Sequence, residues 1–185
     1  MGTSEAEQHL LTWPERGDAQ EALDLFDALA PLSPAELRGR WRGTGLPTGH
    51  RLDGLLELHG WYGKEFLGPE EVHPLLFRDA RGRPRPVDPR WAPVGLLREH
   101  GHLARNRLAR CASAVARPLL FTRRPAARLR LVEHRGAPTA TVVYDDLPVL
   151  DHLRRAGPTT LLGVMDLRGL REPFFFVLHR APERP

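Results

Sequence analysis

Ala127-Arg-Leu-Arg-Leu-Val132 and Thr139-Ala-Thr-Val-Val-Tyr144 are the stretches whose reading decides the fold. The first alternates apolar and charged residues with the period of two that a half-buried strand requires; the second is β-branched and aromatic. Gly136 and Pro138 stand between them, which predicts an antiparallel hairpin. Downstream, 161–167 and 174–178 predict a second hairpin across Arg168-Gly-Leu-Arg-Glu-Pro173, with a helical turn over 148–154 between the two hairpins.

Upstream, Asp18-Ala-Gln-Glu21 has capping-box form, and Leu23, Phe26 and Leu29 follow at helical spacing, predicting a helix over 19–30. Ser33-Pro-Ala-Glu36 repeats the signal for a short turn. Residues 1–17 read as a flexible arm. Gly39-Arg-Trp-Arg-Gly43 reads as the entry of a strand packed closely on a neighbour, 52–59 as a short helix and 72–77 as a strand. The proline- and arginine-rich 79–93 reads as a loop. From 94 to 119 Leu96, Leu103, Leu108, Cys111, Ala112, Val115 and Leu119 line one side, as in an amphipathic helix packed on a core. Residues 18–180 therefore form one α+β domain. It is a curved antiparallel sheet or a partly closed small β-barrel, covered by helices, with an internal pocket for one small ligand.

Composition bounds the function. The chain has 185 residues, 27% of them charged, with a net charge of +4. No apolar run approaches the roughly 20 residues of a membrane span. The acidic, polar start Met1-Gly-Thr-Ser-Glu-Ala-Glu-Gln is not a signal peptide and lacks the residues of a myristoylation signal. A single cysteine, Cys111, fits a reducing cytoplasm. The arginines are dispersed among acids without a nucleic-acid-binding module, so no nucleic-acid partner is expected. Peripheral membrane contact through the basic 94–119 helix is the weaker alternative to core packing, because its apolar side has no tryptophan or phenylalanine. Phosphate-binding loops, serine-hydrolase elbows and paired metal-ligand spacings are absent from the sequence, so no cofactor or metal is expected.

Lys64 is the only lysine; every other one of the 27 basic residues is arginine. Codon bias in a GC-rich genome replaces lysine wherever any positive charge serves, so the survivor marks a place where a guanidinium does not. Lysine is a compact charge that tolerates burial and can become a neutral amine. It lies in Gly60-Trp-Tyr-Gly-Lys-Glu-Phe66, downstream of His50 and Asp53. In the strand-rich half, Asp145, Asp151 and Asp166 stand among apolar residues. A lone buried carboxylate costs several kcal/mol, so such a group needs a partner; Asp166, inside an apolar strand, is the expected partner of Lys64. Two readings follow. In a binding protein Lys64 and His50 hold the polar, acidic head group of a lipid-like ligand whose body lies against Trp41, Trp61, Tyr62, Tyr144, Met165, Phe174 and Phe176, with Asp145 and Asp151 also lining the ligand site. In a cofactor-independent isomerase, cyclase or lyase, Lys64 is the base or Schiff-base amine, with His50, Asp53 or Asp166 in proton transfer.

Two motif blocks resemble a bacterial family of unassigned function named for its GXWXG motif. The first is Gly39-Arg-Trp-Arg-Gly43, Thr48-Gly-His50, Asp53-Gly54, Trp61-Tyr-Gly-Lys64 and Val72-His-Pro-Leu75. The second resembles that family's paired C-terminal domain: Ala127-Arg-Leu-Arg130, Arg135-Gly136, Thr139 to Asp145, Leu147-Pro148, Asp151, Leu162 to Asp166 and Phe174-Phe-Phe176. The resemblance supports the fold more than any activity. At the level of fold alone it is similar to lipocalin-type and lipid-binding small barrels, which also begin on a glycine-x-tryptophan strand. The same start is similar to small haem-binding barrels, for which His179 is the best axial candidate in a weak set. The favoured expectation is binding or carriage of a hydrophobic or amphipathic small molecule; the alternative is the lysine enzyme.

Overall fold

The structure, a computed structural model, describes residues 4–91 and 105–182. Eight strands close into an antiparallel barrel: β2 (Gly39–Gly45), β3 (Trp61–Gly68), β4 (Glu71–Arg78), β6 (Ala127–His134), β7 (Ala137–Tyr144), β8 (Val149–Arg155), β9 (Thr160–Leu167) and β10 (Phe174–Arg180). Around the ring the order is β8-β7-β6-β4-β3-β2-β10-β9, and β9 pairs back onto β8. Two short strands, β1 (Ala30–Pro31) and β5 (Pro84–Pro86), add to β8 and β4 at the margins. The expected hairpins are β6–β7 and β9–β10. The seam between β4 and β6 is thin: the register holds Val72 opposite Ala127, with Ala126 N–H donating to the Val72 carbonyl at 3.1 Å.

Strand alternation sorts the side chains. Phe174, Phe176 and Leu178 join the interior cluster with Trp41, Trp61, Phe66, Leu129 and Val142, while Phe175 and Val177 face outward. On that outer face they meet Leu10 of α1 (Glu5–Leu11) and Ala22 and Phe26 of α2 (Ala19–Ala28). Within the stretch expected as an arm, residues 5–11 form α1; Ser4 caps it and its hydroxyl donates to the Ala156 carbonyl. Asp18 caps α2 by accepting from Gln20 and Glu21 N–H, as the capping box predicts.

Three expectations change. The helical turn expected over 148–154 is instead strand β8, from Val149 to Arg155. The helix expected over 52–59 is reduced to α3 (Leu55–Leu58). Of the helix expected over 94–119, residues 94–104 lie outside the described residues and the described part is α4 (Arg107–Ala116) followed by a 3-10 turn. Cys111, Val115 and Leu119 on its apolar side are exposed, the last two at 80% and 86%, so this stripe is not packed into the barrel core.

Gly63 sets the phase of β3. Strict alternation would put Trp61 and Lys64, three residues apart, on opposite faces. The β3–β4 register shifts on both sides of Gly63, and Trp61, Lys64 and Phe66 are all buried. Gly63 has φ +142°, and a Cβ there would collide with the Trp41 carbonyl oxygen. Only glycine permits this close crossing of β2 and β3.

Candidate functional site

At one end of the barrel interior, the bulge at Gly63 aims Lys64 across the lumen. Its Nζ lies 2.6 Å from Asp151 Oδ2 and donates to the Pro74 carbonyl (3.1 Å) and the Tyr144 hydroxyl (3.2 Å). Tyr144 in turn donates to the same Asp151 oxygen at 3.0 Å. Burial, reinforced by the Asp151 carboxylate, pushes the Tyr144 phenol well above its ordinary pKa, so it stands as a proton donor. The rings of Phe176, Tyr144 and Trp61 surround the ammonium at 5.0, 5.5 and 6.0 Å. The three ammonium hydrogens are matched by three acceptors, and the charge by one carboxylate.

A hollow of about 120 Å³ opens beside this trio. Its walls are Trp61, Phe174, Phe176, Met165 and a set of leucines and Val149; Lys64, Tyr144 and Asp151 are its polar members. Trp61 Nε1 is buried and has no hydrogen-bond partner. Its benzo ring lies against Gly43, where a Cβ would fall inside the ring; the second glycine of Gly39-Arg-Trp-Arg-Gly43 thus makes room for Trp61.

The structure gives Lys64 the partner Asp151, not Asp166. Asp166 is on the outer face of β9, exposed, beside Arg168 in an adjoining groove. His50 and Asp53 do not line the hollow. They order the 48–54 loop: Asp53 accepts from Thr48 N–H at 2.9 Å and His50 Nδ1 from Leu52 N–H at 3.1 Å. Burial lowers the His50 pKa, keeping the ring neutral, and it packs 5.5 Å from the Phe174 ring. Trp41 is in the core, its indole N–H bound to the Arg38 carbonyl, and is not a wall of the hollow. Tyr62 faces Arg78 at 5.0 Å and Asp145 pairs with Arg128 at 2.7 Å, both away from the trio. His179 Nδ1 sits 3.0 Å from the Thr160 hydroxyl. Among the described residues no group of three or more His, Cys, Asp or Glu side chains gathers as a metal site. Leu52, Leu55, Leu56, Leu75, Leu147, Val149 and Leu167 complete the walls without having been assigned to the site from the sequence. Their only signal there is apolarity, which core residues share.

Fold and site together define a small closed antiparallel barrel with a buried, self-neutralised lysine–aspartate–tyrosine trio at one end. The chain carries the GXWXG protein family's domain at residues 24–82 and a domain of unknown function, DUF4334, at residues 125–180, paired in one chain. The ion pair joins the two, since Lys64 lies in the first and Asp151 in the second. A crystal structure of a protein from Thermomonospora curvata is similar with a TM-score of 0.70 and 28% identity, over 97% of this chain and 100% of that one. No curated protein matches. No described helix is long and apolar enough to cross a membrane.

Proposed function

We propose that the protein binds or carries an apolar small molecule bearing one neutral oxygen, with that oxygen at the Lys64–Tyr144–Asp151 end of the barrel. The observation that carries this reading is a hollow with apolar walls, one of them Trp61, whose buried indole N–H has no partner. A buried, unmade hydrogen bond costs about 1–3 kcal/mol, which a ligand oxygen accepting from Trp61 recovers. Charge refines the ligand class. Lys64 is already neutralised by Asp151, so a carboxylate head group gains little from the ammonium and meets a like charge beside it. The ligand head is therefore a hydroxyl, carbonyl or ether rather than the acid expected from sequence. The same geometry favours binding over turnover: an amine acting as base or Schiff-base nucleophile must first lose a proton and its place among three acceptors.

Two measurements test this. Native mass spectrometry of the protein as purified should show a co-purifying neutral organic molecule. Titration with 1-hexanol and hexanoate should give tighter binding of the alcohol; equal or tighter binding of hexanoate contradicts the reading.

A further inference from the structure

The hollow is too small for most lipid-like molecules. About 120 Å³ is near the roughly 150 Å³ of a cavity that holds one benzene, so a ligand of more than about six or seven heavy atoms must extend out of it. A second concavity shares part of its wall with the hollow. Tyr144, Leu147 and Val149 line both, and beyond them a groove of about 470 Å³ runs over Val143, Pro148 and Leu150 to Asp166 and Arg168. Its floor is the outer side of adjacent strands, since Leu150 lies opposite Val143 of β7 and Asp166 of β9. Asp166 stands across from Leu150, and Arg168 N–H donates to the Pro148 carbonyl at 3.1 Å; both of these charged residues are exposed.

We infer that this groove is the outer half of the same site, and that the ligand is an extended hydrocarbon chain of about eight or more carbons ending in a neutral oxygen. The inference rests on the binding reading above. The oxygen end lies in the hollow, because Trp61, whose N–H lacks a partner, and the neutral trio line it. The chain passes Leu147 of the β7–β8 turn, which is half-exposed, and lies against Val143 and Leu150. Asp166 and Arg168, both exposed, border the groove along its β9 side.

A homologous series of 1-alkanols from butanol to dodecanol separates the possibilities. Each methylene moved from water to an apolar wall strengthens binding about fourfold. The wild-type protein should keep gaining beyond hexanol, to about decanol. Leu150→Arg, which changes the groove and not the hollow, should leave butanol binding unchanged and abolish the gain beyond hexanol. Val143→Arg gives a second, independent block, and the melting temperature of each variant shows that the barrel is folded. A wild-type gain that stops at about six carbons overturns the inference while leaving the binding reading intact, as does a long-chain gain that survives both folded variants. Failure of every alkanol to bind overturns both.

Discussion

Lys64 Nζ and Asp151 Oδ2 meet at 2.6 Å with their side chains only 3% and 2% exposed, and they come from strands on opposite sides of the ring. From β8 the order passes through β7, β6 and β4 before reaching β3, so the pair spans the lumen. A buried ion pair is held by mutual attraction against a large desolvation penalty, and removing one member leaves the other uncompensated. Asp151→Asn should therefore destabilise the protein by about 3–5 kcal/mol in urea unfolding, whereas the joint replacement Lys64→Met with Asp151→Leu should be near neutral or stabilising. A single variant as stable as wild type would show that the pair is not buried as described.

Gly63 tests the bulge that aims Lys64. A Cβ at this position meets backbone of β2, which cannot yield, so Gly63→Ala should lower stability severely. Gly82 also has positive φ (+72°) but nothing within 4 Å of a Cβ; Gly82→Ala should carry only the conformational penalty of about 1–2 kcal/mol. Thermal melts followed by circular dichroism distinguish the two.

Acid should loosen the barrel through its outer face. His134 and His152 stack with ring centroids 3.8 Å apart and planes 6° from parallel. Thr141 is 2.9 Å from His152 Nδ1 and Phe26 of α2 meets His134 edge-on. Arg135 and Arg154 add positive charge, while Asp27 and Asp166 oppose it. Burial lowers the His152 pKa to about 4 from 6.5, with the neighbouring His134 acting in the same sense. The unfolded chain thus takes up the proton first. The stabilisation is fully present above pH 6.5 and is lost as pH falls towards 4, by roughly 3 kcal/mol. Urea unfolding as a function of pH should show this slope, and His152→Phe should flatten it.

Tyr144 supplies a spectroscopic check. Its phenol is held well above the ordinary range by burial. Absorbance titration at alkaline pH should therefore show a late step coincident with unfolding, and Tyr144→Phe should remove that step.

The sequence made the β6–β7 hairpin legible because the outer residues of β6 are charged. Arg128 and Arg130 flank the buried Leu129, and the turn residues lie between β6 and β7. It hid the partner of Lys64 for the opposite reason. Strands β9 and β10 are buried on both faces, since α1 and α2 pack on their outer side, so Asp166 looked interior when it points outward. Asp151 was legible as a ligand-wall residue but not as the counter-ion. Val149, Asp151 and Leu153 share an inward face only once 148–154 is a strand rather than a helical turn. Lys64 itself stood out through its uniqueness among arginines. The bulge that turns it inward depends on a backbone crossing that no spacing reveals.

The central claim is that a ligand oxygen completes the buried Trp61 N–H. Indole N–H signals in a ¹⁵N–¹H spectrum, recorded during titration with 1-decanol and with Trp61 assigned through Trp61→Phe, test it most directly. The indoles of Trp13 and Trp41 are already bound to the Pro47 and Arg38 carbonyls at 2.9 and 3.1 Å. The account predicts a large downfield shift of the Trp61 signal while those two stay in place. Saturable binding that leaves the Trp61 signal unmoved would contradict it.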